Sequence, residues 1–371
     1  MRQILMLSWP RSALLTVLGG VLLLFSMTLA IPLAFAFVFD EATSNLFLQS
    51  MAACASCGFL LLLLFRGSQR EMLPRDGFML VVLVWGVLPA FGGLPLMLYI
   101  EGLSFTDAYF ESVSALTTTG STVIEGLDQL PISINVWRHF MVLLGGMGIL
   151  VLTVAILPIL GVGGSQIYKA ETPGPMKEDK LTPRISETAR GLWLVYFGVS
   201  LACWAAYFLA GMTWWDAFMH MCSTMGLGGF SAYDASFAHF DSAAIETVAI
   251  IFMTIAGVNF GLYFIAFRSR SLTVIWKDLE ARSYLFLMIA SVLAISLFLY
   301  VHGVYDDPLT ALRFAAFNVV SIATTTGFAS TDYAQWPLFA PVFMLLLCGI
   351  ATRSEEHTSE LQSPYVISYA V

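Results

Sequence analysis

Charge is what this sequence has least of. Only 11% of its 371 residues are Asp, Glu, Lys or Arg, where a soluble domain has about a quarter. That shortage excludes a soluble enzyme, a disordered tail and a nucleic-acid binder built on basic patches. With 17 basic against 25 acidic residues, the net charge of −8 points to no polyanionic partner. Histidine is scarce too: the five, at 139, 220, 239, 302 and 357, are scattered. Cys54 and Cys57 form a CxxC, but no second CxxC or His cluster completes a metal site. All five cysteines lie in apolar stretches, which reads as membrane packing. What the chain has in quantity is apolar length: it is 58% hydrophobic, with a mean hydropathy of +0.81. The class implied is an all-α polytopic membrane protein.

Segments long enough to span, by the rule of about 20 residues, fall at 12–39, 46–65, 79–100, 137–160, 191–210, 244–267 and 284–301. An eighth, 337–350, begins properly and stops short. The first is longer than a signal peptide's apolar region of about 7–15 residues, so it reads as a retained helix. Three moderately apolar stretches, 105–116, 214–225 and 309–323, are too short to cross, and each leads into a Gly/Thr-rich turn. Segments of about 10–14 residues are candidates for re-entrant helices. If all three enter and leave on one side, 15 of the 17 basic residues share a face and only Arg138 and Arg313 fall opposite. This positive-inside bias puts the N-terminus in the cytoplasm. Fourteen carboxylates share the outer face with those two arginines, a negative potential that concentrates cations.

The unit of span, short segment, glycine-centred turn and span recurs three times. The turns read SALTTTGST (114–122), STMGLGGFS (223–231) and SIATTTGFAS (321–330). Asp107 and Asp216 each stand thirteen residues before a turn glycine, Gly120 and Gly229, and Gly327-Phe328 matches Gly229-Phe230. Repetition at long period is a fold-level signal. Non-helical backbone at membrane depth is tolerated where it lines a water-filled cavity or is buried in protein. Glycine lets carbonyls turn toward an axis, and threonine adds uncharged oxygens that replace a cation's hydration shell. A helix descending from outside points its negative C-terminal end at mid-membrane. The neutral lining favours a monovalent cation over a divalent one.

These repeats, together with LLGGMGILVLTVAILPILGVGG (143–164), YKAETPGPMKEDKLTPRISETAR (168–190) and GLGGFSAYDAS (226–236), closely resemble TrkH-type potassium-uptake subunits of the Trk/Ktr/HKT superfamily. The resemblance runs from near residue 1 to about Thr352. It implies two extra N-terminal helices and four pseudo-repeats around one pore, of which three are present. The implied division is 1–78 for the N-terminal pair, 79–165 for repeat one, 166–190 for a cytoplasmic loop, 191–267 for repeat two, 268–283 for a second cytoplasmic loop and 284–352 for repeat three. It implies potassium as the transported ion, moved down its electrochemical gradient either channel-like or coupled to protons or sodium, no organic cofactor, and the bacterial inner membrane. The implied partners are a second copy, a cytoplasmic TrkA-type nucleotide-binding subunit and membrane lipid, with no nucleic acid. By matching positions, the filter would comprise Thr117, Thr118, Thr119 and Gly120; Leu227, Gly228 and Gly229; and Thr324, Thr325, Thr326 and Gly327. In the second repeat the register is open by one residue, between Gly228 and Gly229.

After Thr352 the resemblance predicts a Gly-rich break in the third inner helix and then a fourth repeat. The sequence instead reads RSEEHTSELQSPYVISYAV, polar and aperiodic, and its start resembles an in-frame translation of a sequencing-adapter oligonucleotide. Residues 353–371 are therefore expected to be non-native, and the functional reading belongs to the intact parent. Among single residues, His220 is expected to bond to a neighbouring helix, with orienting carbonyls or sensing protons as the alternatives. Asn259, between Gly257 and Gly261, is expected either to line the pore or to pack helices. The Gly145-Gly146-x-Gly148 cluster reads as close packing, and Asp107 and Asp216 as charges at pore-helix N-termini. The basic 161–190 loop is either a docking site or a solvated loop. A polytopic membrane enzyme or a non-conducting scaffold remains the alternative class; an enzyme would need paired carboxylates, a Ser/His pair or a His cluster at membrane depth, and the full spans hold none.

Overall fold

The computed structural model describes residues 12–65, 74–148 and 185–356; the 161–184 part of the basic loop, residues 149–160 of the fourth span and the tail beyond 356 lie outside them. Among the described residues, helices and short 3-10 turns make up all regular structure. An N-terminal hairpin comes first: α1 (Ser12–Thr28) and α2 (Ala30–Val38) run on as one apolar stretch, and α3 (Ser44–Phe65) returns along α1. Cys54 of α3 is buried and donates to the Leu22 carbonyl at 3.3 Å, the packing role expected of it.

Repeat one comprises α4 (Pro74–Gly92), α5 (Leu94–Tyr99), the short α6 (Phe105–Leu116) and α7 (Ile132–Gly146). Repeat two comprises α8 (Ile185–Leu209), the short α9 (Trp214–Met225), α10 (Ala243–Ala256) and α11 (Phe260–Ser269). A single turn, α12 (Thr273–Lys277), leads into α13 (Leu279–Val301), the short α14 (Pro308–Ala323) and α15 (Phe339–Glu356) of repeat three. With 12 residues each, α6 and α9 reach only about 18 Å, well short of the roughly 30 Å hydrocarbon core. The three short segments thus fall where the sequence puts them.

Neighbouring repeats interlock with a constant offset. The helix that closes one repeat packs on the short helix of the next, α7 on α9 and α10 on α14. The N-terminal hairpin packs against repeat one, α1 on α4 and α2 on α7. It also caps α7, whose own N-cap residue, Pro131, has no side-chain acceptor. Glu41, between α2 and α3, fills that role: its Oε1 accepts from Ile132 N at 2.7 Å and its Oε2 from Ser133 N at 3.1 Å. Two otherwise unpaired helix-end amides are satisfied by a carboxylate where the helix dipole favours one.

One expected span is not straight. The stretch 244–267 divides into α10 and α11, bent by 86° across Gly257–Asn259. The bend is paid in hydrogen bonds: Tyr263 Oη donates to the Ile255 carbonyl at 2.9 Å and Tyr284 Oη to Thr254 at 3.4 Å. Asn259 Oδ1 accepts from Gly261 N at 2.8 Å and so caps α11. Asn259 is therefore a local cap at the break, and its side chain is exposed. At the other end, α15 runs as helix to Glu356, past Thr352.

Candidate functional site

Each short helix begins on a side-chain cap. Ser104 Oγ accepts from Asp107 N at 3.1 Å, Thr213 Oγ1 from Asp216 N at 3.2 Å, and Asp307 Oδ2 from Thr310 N at 2.8 Å. Asp107 and Asp216 lie in the first helical turn, where a negative charge complements the dipole. α14 has 16 residues against 12 and starts one turn earlier, so its acid is the cap itself. That is why the thirteen-residue spacing is missing from repeat three. The Asp307 carboxyl is held below its ordinary value by hydrogen bonds from Thr310.

The three helices also end alike. Thr118 N donates to Ala115 and Thr119 N to Ser114; Leu227 N to Thr224 and Gly228 N to Ser223; Thr325 N to Ile322 and Thr326 N to Ser321, all at 2.8–3.3 Å. This paired pattern is the Schellman ending, whose left-handed residue is usually glycine. Here it is Thr118 (φ 54°), Leu227 (φ 53°) and Thr325 (φ 60°), each followed two residues on by a left-handed glycine: Gly120 (φ 80°), Gly229 (φ 63°) and Gly327 (φ 87°). The pattern settles the open register: Gly229, not Gly228, is the equivalent of Gly120 and Gly327. A non-glycine residue held left-handed costs about 1–2 kcal/mol, and such strain persists where the surroundings enforce it.

Inside the turns the threonines bond to one another. Thr117 Oγ1 lies 2.8 Å from Thr119 Oγ1 and donates to Val113 O; Thr324 Oγ1 lies 2.7 Å from Thr326 Oγ1 and donates to Val320 O. Repeat two has Gly226 and Gly228 at these places. Both are buried, because this turn sits between the others. A Cβ on Gly120 would strike the carbonyl oxygen of Gly228, and one on Gly229 that of Thr326, whereas one on Gly327 would meet open space. The turns therefore stand edge to edge in chain order. Gly145 lets α7 close on the end of α6, since a Cβ there would strike the Leu116 carbonyl; close packing is the role expected of its cluster.

Behind the turns lies a feature that the sequence reading missed as a set. Nine residues before each turn glycine stand Glu111, His220 and Asn318, all completely buried. Each bonds to the return segment of its own turn. Glu111 accepts from Thr122 Oγ1 at 3.0 Å and Val123 N at 3.1 Å. His220 Nε2 lies 3.2 Å from Ser231 Oγ, and Asn318 Nδ2 donates to Ser330 Oγ at 3.1 Å. Because His220 Nδ1 faces the Asp216 carbonyl at 2.9 Å, that nitrogen carries the proton and Nε2 accepts. His220 thus bonds within its own repeat, not to a neighbouring helix as expected. The available signal was a polar residue at one fixed spacing in three apolar helices.

The two arginines assigned to the outer face are both taken up in ion pairs. Arg138 of α7 contacts Glu111 Oε1 through Nε (2.9 Å) and Nη2 (2.7 Å), and its guanidinium lies 4.6 Å from the Phe230 ring of repeat two. Arg313 of α14 grips Glu246 of α10 with two bonds of 2.8 Å and reaches Asp241 at 3.0 Å. Glu111 and Glu246 are buried. Asp234 accepts from Gly126 N and Leu127 N, as Glu41 does from α7. The fourteen carboxylates are therefore not all a solvated, cation-attracting surface; several are structural.

Three short capped helices, their C-terminal ends meeting at strained turns inside a set of apolar spans, define a polytopic membrane protein of the repeated pore-helix class. The family model described as "TrkH: Cation transport protein" matches residues 43–354. The chain belongs to that family. It is 45% identical over 336 residues to the "Trk system potassium uptake protein TrkH" of Vibrio parahaemolyticus, covering 90% of this chain and 69% of that one. Against the protein of the same description from Escherichia coli K12 the identity is 45%, covering 91% and 70%. The "Trk system potassium uptake protein TrkG" of that strain is 35% identical, with 88% and 68% covered. The crystal structure of the potassium transporter TrkH from Vibrio parahaemolyticus superposes with a TM-score of 0.80 at 42% identity, over 91% of this chain and 70% of that chain.

Proposed function

We propose that this chain is the membrane subunit of a Trk-type potassium-uptake system in the bacterial inner membrane, with its N-terminus cytoplasmic. The relatives are named as potassium-uptake proteins, which favours transport over the enzyme and scaffold readings. Potassium is its cargo, passing a filter contributed by Thr117, Thr118, Thr119 and Gly120, by Leu227, Gly228 and Gly229, and by Thr324, Thr325, Thr326 and Gly327. The observation that carries this reading is the meeting of three identical left-handed turns, edge to edge, at the ends of three short helices. Thr117 and Thr119, and Thr324 and Thr326, are held hydroxyl to hydroxyl, and the ligands this reading assigns to the ion are backbone carbonyls of the turns. The negative C-terminal ends of α6, α9 and α14 add a field that favours a cation.

The rest of the assignment follows the family. The N-terminal pair occupies 1–78, the pore repeats 79–165, 191–267 and 284–352, the cytoplasmic loops 166–190 and 268–283, and 353–371 is a non-native tail. A second copy, a TrkA-type nucleotide-binding subunit and lipid are the partners, with transport either channel-like or coupled to protons or sodium. Sequencing the parent locus across codon 353 tests the tail: an uninterrupted frame encoding a fourth Thr-x-Gly turn supports the assignment, and a stop after codon 371 rejects it. The filter is tested in the intact parent by ion-replacement uptake in a strain lacking its own potassium uptake. Gly120→Ala lowers the preference for potassium over sodium; an unchanged preference rejects the filter.

A further inference from the structure

We infer that Glu111, His220 and Asn318 are positioning residues for the ion pathway, one per repeat, which hold each turn by its return segment. The inference rests on the pathway reading above for its consequence in ion preference, though not for its geometry. All three occupy one register position, nine residues before the turn glycine, and none has exposed surface. Their bonds reach the second or third residue after that glycine: Thr122 and Val123 after Gly120, Ser231 after Gly229, Ser330 after Gly327. A left-handed turn that carries its own strain needs such a tie, because a buried polar group without a partner is costly and the tie is the cheapest way to satisfy both sides.

The three side chains differ in chemistry but not in task. Asn318 bonds Ser330 through its side-chain amide and the Ser330 N–H approaches Asn318 Oδ1 at 3.4 Å. His220 is braced by the Asp216 carbonyl on one side and ringed by Phe237, Phe240 and Phe328 on the other. Glu111 is charged and so is matched by Arg138, which also touches Thr122 Oγ1 at 3.2 Å. A hydrogen-bonding group of suitable reach is therefore what the position requires, and the repeats are expected to tolerate each other's solution.

The test exchanges one repeat's residue for another's. In the uptake assay, normalised to protein in the membrane, His220→Leu and Asn318→Leu lower the potassium-over-sodium ratio about threefold to tenfold, the weight of one hydrogen bond. His220→Asn, which imports the residue of repeat three, restores a ratio within about twofold of the parent, as expected where an amide can make the same bond. Equal loss of both ions, with the ratio unchanged in the Leu variants, overturns the inference. A second arm needs no transport: Ala232, buried beside Ser231, is replaced by Cys and labelled with a membrane-impermeant thiol reagent, the protein without that cysteine serving as blank. His220→Leu raises the labelling rate several-fold and His220→Asn does not; identical rates overturn the inference. If the parent carries no potassium, the pathway reading fails and the labelling arm alone decides the positioning role.

Discussion

Arg138 and Glu111 form an ion pair in which neither side chain has exposed surface, with Nη2 2.7 Å from Oε1. The pair joins α7 to α6 and, through Glu111, to the segment that follows Gly120. Removing one partner leaves the other charge buried and alone, a loss of about 3–5 kcal/mol. Glu111→Gln and Arg138→Met are each expected to lower the denaturation midpoint of the purified protein strongly. The double variant Glu111→Gln/Arg138→Met recovers most of the loss, because no charge is left stranded and the glutamine amide still reaches Thr122 and Val123. A double-mutant cycle without coupling would contradict the pairing.

The order of the turns makes two outwardly similar glycines unequal. Gly229→Ala and Gly327→Ala both force an L side chain into a left-handed residue, at about 1–2 kcal/mol. Only at Gly229 does the new Cβ also strike a neighbour, the Thr326 carbonyl. In the 371-residue chain, Gly229→Ala is expected to yield markedly less folded protein than Gly327→Ala, measured by size-exclusion chromatography in detergent. Equal yields would contradict the edge-to-edge arrangement.

Glu41 links the N-terminal hairpin to repeat one. Its loss uncaps α7, and cap removal costs about 0.5–2 kcal/mol. Glu41→Ala is therefore expected to lower thermal stability by that amount and Glu41→Asp by less, since the shorter carboxylate keeps the charge. A Glu41→Ala melting curve that overlays the parent's would show that the hairpin does not support α7.

Arg313 holds repeat three to repeat two through both oxygens of Glu246. Arg313→Ala is expected to cost about 1.5–3 kcal/mol, the range for hydrogen bonds to charged groups. Arg313→Lys keeps the charge but loses the planar fork, so it recovers only part of this. Full recovery in chemical denaturation would show that charge alone, not geometry, joins the repeats.

The short helices were legible in the sequence because their signals are local. A Ser, Thr or Asp cap opens each one, and a Thr/Gly turn closes it within two or three residues of the last helical position. The bend at Gly257 was not legible, because what makes it affordable to the backbone is distant: Tyr284 lies thirty residues from Thr254. The same holds for the arginines, whose partners Glu111 and Glu246 lie 27 and 67 residues away. Sorting charges by side placed Arg138 and Arg313 with the carboxylates they bind, but gave no sign that these were interior pairs. The register of the second turn was ambiguous because two adjacent glycines spell the same signal, and only the φ sign at Leu227 and Gly229 separates them. Glu111, His220 and Asn318 were hidden for a simpler reason. They share a position and not a residue type, so they align only once the turn glycines fix the count.

The edge-to-edge order of the turns also bears on how the protein is made. Gly120 rests against the carbonyl of Gly228, and Gly229 against that of Thr326, so the first and second turns each close on the repeat that follows. During synthesis, which delivers N-terminal segments first, the first turn has no wall to close on until more than a hundred further residues have been added. Maturation is therefore a relay in which the first and second repeats stay unfinished until their successors arrive. The last stretch of chain to enter the bilayer then sets the shape of what was inserted before it.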